Sequence, residues 1–225
     1  MELGLFCRVT PITGSELLMF SYIYLASQSP RRQELLKQIG VQFEMLVAGP
    51  GEDTETLEVP LPNEKARDYV ERVTFAKSAI ALARWQSSGK PWAPILCADT
   101  TVSLPGNPAG EILGKPNDAA DAERILKMLS GYVHEVLTAV VLMIDPLTKP
   151  LCLVQVSEVE FAHLTQGQID SYIESGEPFG KAGAYGIQGS GGAFIPSIKG
   201  SYSGIMGLPI FEVNQLLNFA KVARI

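Results

Sequence analysis

Apolar runs and polar segments alternate along the chain in a pattern that predicts both strands and helices. Short, continuously apolar runs at residues 22–26 and 95–98 are typical of buried strands. Apolar residues at three-and-four spacing predict a long amphipathic helix over residues 64–85. The other predicted elements are helices at 33–38, 119–129, 166–175 and 210–222, strands at 41–47, 136–144 and 151–161, and a hairpin of 102–104 with 111–113.

A small polar loop, Ser27-Gln28-Ser29-Pro30-Arg31-Arg32, separates the first strand from the first helix. Such a loop aims free backbone N–H groups at one point, which is how an anion is usually held. Pro30 suits the first helical position, and Ser29 suits the cap before it. Arg31 and Arg32 oppose the macrodipole of the helix at a cost of roughly 0.3–1 kcal/mol each. Two interpretations stay open: a site for a polyanion, and a capped helix whose arginines reach water.

Asp99 is the carboxylate in this sequence that is hardest to explain as a surface group. It follows the apolar run 95–98, and burial of a carboxylate at the mouth of a strand is costly unless the group is paired or used. The hairpin that follows returns Lys115 toward Asp99, where it could bind phosphate. Lys77 lies at the edge of the apolar stripe of the long helix, so its simpler interpretation is a surface lysine that extends to water.

Two irregular segments carry further candidates. Residues 48–63 are rich in proline, glycine and acid, and Glu52 could hold a hard cation there, although a solvated turn is the more common role of such residues. Residues 177–192 contain six glycines together with Lys181, Tyr185 and Gln188. Dense glycine with apolar anchors favours a binding loop over a flexible linker.

These candidates together suit a triphosphate with a divalent metal. The cations at Arg31, Arg32, Lys77 and Lys115 would neutralise phosphate oxygens, and Asp99 would orient or deprotonate a water. The chain contains no GxxxxGK[ST] loop, and no GxGxxG segment opens a helix after a strand. The sequence therefore predicts a phosphate site of another type.

Composition excludes several classes of protein. A net charge of −6 without any basic run argues against a general binder of nucleic acid or of acidic membranes. Three widely spaced cysteines suggest neither a disulfide framework nor a zinc site, which favours a reduced, cytoplasmic location. No apolar stretch approaches the ~20 residues of a membrane span. Residues 1–18 do not look like a signal peptide and are interpreted as an extension or a start codon called too early, with one domain over 19–225.

Several motifs, in order along residues 23–219, closely resemble those of the Maf nucleotide pyrophosphatases. They are LASQSPRRQELL from Leu25, ADT at Ala98, ILGKP at Ile112, KAGAYGIQG at Lys181, GSYS at Gly200 and GLP at Gly207. The resemblance implies a mixed α/β fold related to inosine triphosphate pyrophosphatases, with a central mixed sheet flanked by helices and a cleft between two lobes. It also implies hydrolysis of nucleoside triphosphates to monophosphate and pyrophosphate with Mg²⁺ or Mn²⁺, and a homodimer.

The resemblance also assigns roles to individual residues. Asp99 matches the family's proton acceptor, and Ser27, Arg31 and Arg32 match its phosphate loop. Polar positions of the family's cleft correspond to Glu52, the predicted metal ligand, and to Lys77 and Lys115. Arg31, Thr100 and Gln188 match positions that discriminate among bases.

The AYGIQG form of the last motif resembles the branch that acts on dTTP and UTP. A glutamine amide can pair with N3–H and a carbonyl of uracil or thymine, which gives this expectation a physical reason. Two alternatives stay open. One is the same reaction on modified pyrimidine or 7-methylguanine nucleotides, and the other is a nucleotide-binding regulator without turnover, because the family is also associated with arrest of septum formation.

Overall fold

A computed structural model describes residues 20–49, 55–105 and 111–224 of the chain. Its strands are β1 (Ile23–Leu25), β2 (Phe43–Met45), β3 (Ile95–Leu104), β4 (Glu111–Leu113), β5 (Val133–Met143), β6 (Leu151–Glu160) and β7 (Ser197–Lys199). Its helices are α1 (Pro30–Gln38), α2 (Ala66–Ser88), α3 (Ala119–Leu129), α4 (Gln166–Glu174), α5 (Tyr202–Met206) and α6 (Ile210–Phe219). None of the described helices is long and apolar enough to cross a membrane.

The described strands form one mixed sheet in the order β2-β1-β3-β5-β6-β7, with β4 paired to β3. β1 is parallel to β2 and to β3, whereas β3, β5, β6 and β7 pair antiparallel in turn. Helices cover both faces of this sheet, which confirms the predicted mixed α/β class with a central mixed sheet flanked by helices.

Side chains that alternate along β3 and β5 divide the core between the two faces. Odd-numbered residues such as Ile95 and Ala139 pack with residues of α2. Even-numbered residues on the opposite face belong to two separate apolar clusters. One holds Leu96 with α1 and α6, and the other holds Val102 with α3 and α4. The predicted two lobes correspond to these clusters.

A gap in the sheet lies between the two lobes. On one side of β3, β1 pairs only with Ile95 and Leu96, and β4 pairs only with Val102 to Leu104. No strand of the described residues pairs with 97–101 on that side, although β5 pairs along the whole of the other side. Side chains from both faces of β3 can therefore meet at this gap.

Most predicted elements are confirmed, with shifted ends. The helix at 64–85 is α2, the hairpin is β3 with β4, and Thr165 forms the capping box at the start of α4. The structure adds α5 and β7, which the sequence analysis did not predict. Residues 1–18 and the turn 106–110 lie outside the described residues, so the expectation for the N-terminus stays a prediction.

Two local predictions were wrong. Asp99 does not end a strand but lies in the middle of β3, because Thr100 and Thr101 are β-branched and continue the pairing with β5. Ser29 occupies the N-cap of α1 as predicted, but its side chain makes no capping hydrogen bond. The hydroxyl of Ser27 accepts the Ser29 backbone N–H at 3.2 Å instead.

Candidate functional site

A cleft of about 470 Å³ opens at the gap in the sheet. It is lined by the loop before α1, the inner part of α2, the middle of β3, the end of β4 and the glycine-rich segment after α4. Of the predicted site residues, those that line it are Arg31, Arg32, Lys77, Asp99, Thr100, Lys115 and Gln188. Glu52 lies outside the described residues.

Lys77 of α2 pairs with two carboxylates in this cleft. Its ammonium lies 2.5 Å from Asp99 Oδ1 and 2.6 Å from Glu58 Oε1. Glu58 also binds Lys115 through Oε2 at 2.8 Å. The simpler interpretation of Lys77 as a surface lysine was therefore wrong, because the odd-numbered face of β3 points Asp99 at α2.

Burial and charge both act on the protonation of this network. Burial raises the pKa of the Asp99 carboxyl above its ordinary value, although Lys77 and Arg32 oppose that shift. Burial would lower the pKa of Lys77, but Asp99 and Glu58 outweigh it and hold this pKa above its usual range. Burial would likewise raise the pKa of Glu58, but Lys77 and Lys115 outweigh it and lower that pKa. Asp99 thus has a higher proton affinity than an ordinary aspartate beside a cation.

Glu58 is a site residue that the sequence analysis missed. It ends a 3₁₀ turn in the segment that also contains Glu52, and nothing in the local pattern distinguishes the two. Its position is fixed from α2, where the Tyr69 hydroxyl donates to the Glu58 carbonyl at 2.8 Å. Arg72 donates to the carbonyls of Leu57 and Val59 at 3.2 and 3.0 Å. The contacts with α2 thus place Glu58 in the cleft.

The two arginines of α1 point across to the end of α5. Arg32 Nε donates to the Gly207 carbonyl at 2.8 Å, and its Nη1 donates to Ser27 Oγ at 3.1 Å. Arg31 Nε donates to the Met206 carbonyl at 3.3 Å. Carbonyls at a helix C-terminus favour cations, which offsets the unfavourable position of both arginines in the first turn of α1. Ser27 is not among the residues that line the cleft, but it accepts a hydrogen bond from Arg32, which does line it.

The glycine-rich segment brings Lys181 and Gln188 side by side. A Cβ at Gly186 would lie 3.1 Å from Lys181 Cε and 3.2 Å from Gln188 Nε2, so both side chains pass over this glycine. Tyr185 of the same segment also lines the cleft, and its hydroxyl is 2.8 Å from Nε2 of the buried His134. Burial lowers the pKa of His134 to about 4, so the ring is neutral near pH 7.

The carboxylate of Glu177 holds this segment in place through hydrogen bonds. Its Oε1 accepts from the Tyr172 hydroxyl at 2.9 Å and from the Gly191 N–H at 3.2 Å, and its Oε2 accepts the Ser190 N–H at 2.9 Å. A Cβ at Gly189 would lie only 2.3 Å from Oε1, so the carboxylate packs directly on the backbone next to Gln188. The segment is therefore a packed loop and not a flexible linker, and its role in binding stays a prediction.

Comparison with known proteins places these motifs in one family. The model of the family described as Maf-like protein matches residues 22–220. A relative from Ralstonia nicotianae named dTTP/UTP pyrophosphatase is 56% identical over 89% of this chain and 95% of its own length. Relatives with the same name from Burkholderia orbicola and Cupriavidus pinatubonensis are 55% and 53% identical, each over 91% of this chain and over 96% and 99% of their own lengths.

The solved structure of the Staphylococcus aureus Ham1 protein is a more distant match. It is 18% identical, with a TM-score of 0.40 over 63% of this chain and 72% of that chain.

The Glu177 anchor predicts a specific dependence of stability on pH. Burial would raise the pKa of Glu177, but hydrogen bonds from Ser190, Gly191 and Tyr172 lower it from 4.5 to about 2. The stabilisation by this carboxylate is then complete above pH 4.5 and is lost as the pH falls toward 2. We expect Glu177→Gln to lower the free energy of unfolding at pH 7 by about 1–3 kcal/mol, measured by urea unfolding.

The same measurement repeated between pH 7 and pH 3 separates this anchor from other carboxylates. The wild type should lose its advantage over Glu177→Gln as the pH falls, while the exposed Glu174→Gln control should follow the wild type throughout. A constant difference between wild type and Glu177→Gln at every pH would contradict the assignment.

Proposed function

The chain belongs to the Maf family, and on that premise we propose that it hydrolyses dTTP and UTP to the nucleoside monophosphate and pyrophosphate. Three relatives with this name share more than half of their residues with the chain, over nearly its whole length. The observation that carries the proposal is the buried carboxylate of Asp99 in a cleft lined by five cationic side chains from four separate segments. Such a site suits a substrate with several negative charges and a water that must lose a proton.

Asp99 is proposed as the general base of the reaction. Water attacks the α-phosphorus, its proton passes to the Asp99 carboxylate, and the bond between the α-phosphorus and the bridging oxygen breaks to release pyrophosphate. The raised pKa of Asp99 supports this role, because a base accepts a proton better when its conjugate acid is weaker. Lys77 would hold the carboxylate in place and stabilise the charge that develops on the phosphate.

The cations on opposite sides of the cleft would bind the triphosphate. Arg31 and Arg32 come from the start of α1, whereas Lys115 follows β4 on the other lobe. Guanidinium groups can bind phosphate with two parallel hydrogen bonds, and ammonium groups act as point charges. The polyphosphate would thus bridge the two lobes at the gap in the sheet.

We propose that Glu58 and Asp99 hold the divalent cation; the role of Glu52 as a metal ligand stays a prediction, because Glu52 lies outside the described residues. The described residues contain no cluster of three or more His, Cys, Asp and Glu side chains that could hold a metal. Glu58 and Asp99 nevertheless fit Mg²⁺ or Mn²⁺, because both carboxylates contact the same Lys77 ammonium, and Mg²⁺ commonly takes one or two carboxylates with substrate phosphates. When bound, the cation would polarise the phosphate and offset its developing charge.

The base would lie against Gln188 and Thr100. Both line the cleft on the side of the even-numbered face of β3, together with Arg31. The amide NH₂ group of Gln188 would donate to a carbonyl oxygen of uracil or thymine. A cytoplasmic location, a homodimer and a link to arrest of septum formation stay predictions from the resemblance.

Pyrophosphate release from a panel of nucleoside triphosphates tests the proposed function. With Mg²⁺ or Mn²⁺ present, we expect the highest kcat/KM for dTTP and UTP, with lower values for dCTP, dGTP and 7-methyl-GTP. Preference for 7-methyl-GTP would keep the reaction but contradict the assignment of the substrate. Binding of all nucleotides without release of pyrophosphate would instead favour a regulator.

Replacement of Asp99 separates the base from the other polar residues of the cleft. Asp99→Asn should lower kcat for dTTP by at least ~10²-fold, because the amide cannot accept the proton of the water. Its Kd for dTTP, measured by calorimetry without divalent cation, should change far less. Normal turnover by this variant would exclude Asp99 as the base.

Replacement of Glu58 tests the cation site. Glu58→Gln should weaken binding of Mn²⁺ in the presence of a non-hydrolysable dTTP analogue by about tenfold or more, since one anionic ligand is lost. The signal of free Mn²⁺ in electron paramagnetic resonance measures this directly. Glu71→Gln makes the same change on the outer surface of α2 and should leave the Kd of Mn²⁺ unaltered. Equal Mn²⁺ binding by both variants would contradict the role of Glu58.

A further inference from the structure

Two threonine hydroxyls, one at the wall of the cleft and one buried behind it, are linked by a hydrogen bond. Thr100 and Thr138 are direct cross-strand partners on β3 and β5, and they lie between the two apolar clusters. The Oγ1 atoms are 2.9 Å apart. Thr138 Oγ1 is also 2.8 Å from the carbonyl oxygen of Gly204 in α5. Thr138 is completely buried, whereas Thr100 is partly exposed and lines the cleft.

The chemistry of these groups fixes the direction of both hydrogen bonds. A carbonyl oxygen can only accept, so Thr138 must donate its single hydroxyl proton to Gly204. Thr138 then has no proton left for its partner. The contact between the hydroxyls therefore requires Thr100 to donate to Thr138, and the proton of Thr100 points away from the cleft.

The carbonyl that sets this direction is held rigidly. The backbone N–H of Gly204 donates to the capping hydroxyl of Ser201 at 3.0 Å. A Cβ at Gly204 would lie 2.3 Å from Gln155 Oε1, so α5 packs as closely on the sheet as a glycine allows. The Gly204 carbonyl also accepts the Gly207 N–H at 2.9 Å, which fixes its orientation further. If Thr138 donated to Thr100 instead, the lone pairs of Thr138 Oγ1 and of this carbonyl would face each other at 2.8 Å, which is unfavourable.

We propose that Thr138 is a positioning residue that makes the Thr100 hydroxyl an obligate hydrogen-bond acceptor, and that this acceptor selects the N3–H group of uracil and thymine. The inference rests on the proposed function and specifies how the same cleft recognises its substrate. An unconstrained threonine hydroxyl can donate or accept and so discriminates poorly. With its proton committed to Thr138, Thr100 repels a base that presents a lone pair.

The substrates in the proposed function agree with this polarity. Uracil and thymine carry a proton on N3, whereas cytosine has a lone pair on N3 at the same place. Thr100 would thus accept from the first two bases and leave two acceptors face to face with the third, an arrangement that sites use to reject near-isosteric ligands. The ribose 2′-hydroxyl is not shared by dTTP and UTP, but the 3′-hydroxyl is a second donor that the experiment must separate from N3–H.

Substrate analogues and variants together test the inference. For the wild type, kcat/KM should fall at least about tenfold from dTTP to N3-methyl-dTTP, and it should change little from dTTP to 2′,3′-dideoxy-TTP. In Thr100→Val the penalty for the N3-methyl group should shrink, because the acceptor is already absent, whereas a purely steric effect of the methyl group would persist in full. A large loss with dideoxy-TTP alone would contradict the assignment to N3–H.

Thr138 variants test the positioning role. Thr138→Val removes the acceptor for the Thr100 hydroxyl proton, so the preference for dTTP over dCTP should fall about tenfold. Thr138→Ser retains the hydroxyl and both of its hydrogen bonds, so it should retain the preference. A merely structural role would lower both rates and leave their ratio unchanged. If Thr138→Val does not fold, Thr138→Ser and the analogue series still decide the matter.

Two results would overturn the inference in distinguishable ways. Equal kcat/KM for dTTP and N3-methyl-dTTP would remove the acceptor role of Thr100 while the proposed function stands. Absence of any pyrophosphate release from dTTP would overturn the proposed function and the inference with it.

Discussion

The gap on one side of β3 is the constraint on which the rest of the site depends. Where a strand lacks a neighbour, side chains from both faces of the sheet reach the same space. Asp99 meets α2 on one face, and Thr100 meets α5 on the other, yet the two residues are adjacent in sequence. One short stretch of strand can thus place a carboxylate and a hydroxyl in a single cleft, between lobes that supply the cations.

Electrostatics explains why the cleft is organised as it is. Lys77 satisfies the buried carboxylate of Asp99, and Glu58 in turn bridges Lys77 to Lys115. A buried ion pair of this kind contributes little to net stability, because desolvation of both groups offsets their attraction. The network is better explained by the function: it keeps an ionisable carboxylate beside cations that a polyphosphate would neutralise.

Hydrogen bonds from outside the cleft hold its parts in place. Glu177 anchors the loop that carries Gln188, and Thr138 connects Thr100 to a carbonyl of α5. Neither side chain lies among the residues that line the cleft. Both belong to the support on which a precise site depends, since the contact residues are only as well positioned as their second layer of partners.

The sequence by itself determined the types of most elements and most of the charged residues that line the cleft. Apolar spacing predicted α2 and β5, because that signal is local, and the motifs that resemble the family pointed to Arg31 and Asp99. Tertiary structure decided the rest. β5 pairs with Thr100 and Thr101 and so continues β3 past Asp99, and α2 holds the loop that brings Glu58 to the site. The direction of a proton between Thr100 and Thr138 depends on a carbonyl 66 residues away, which no local pattern encodes.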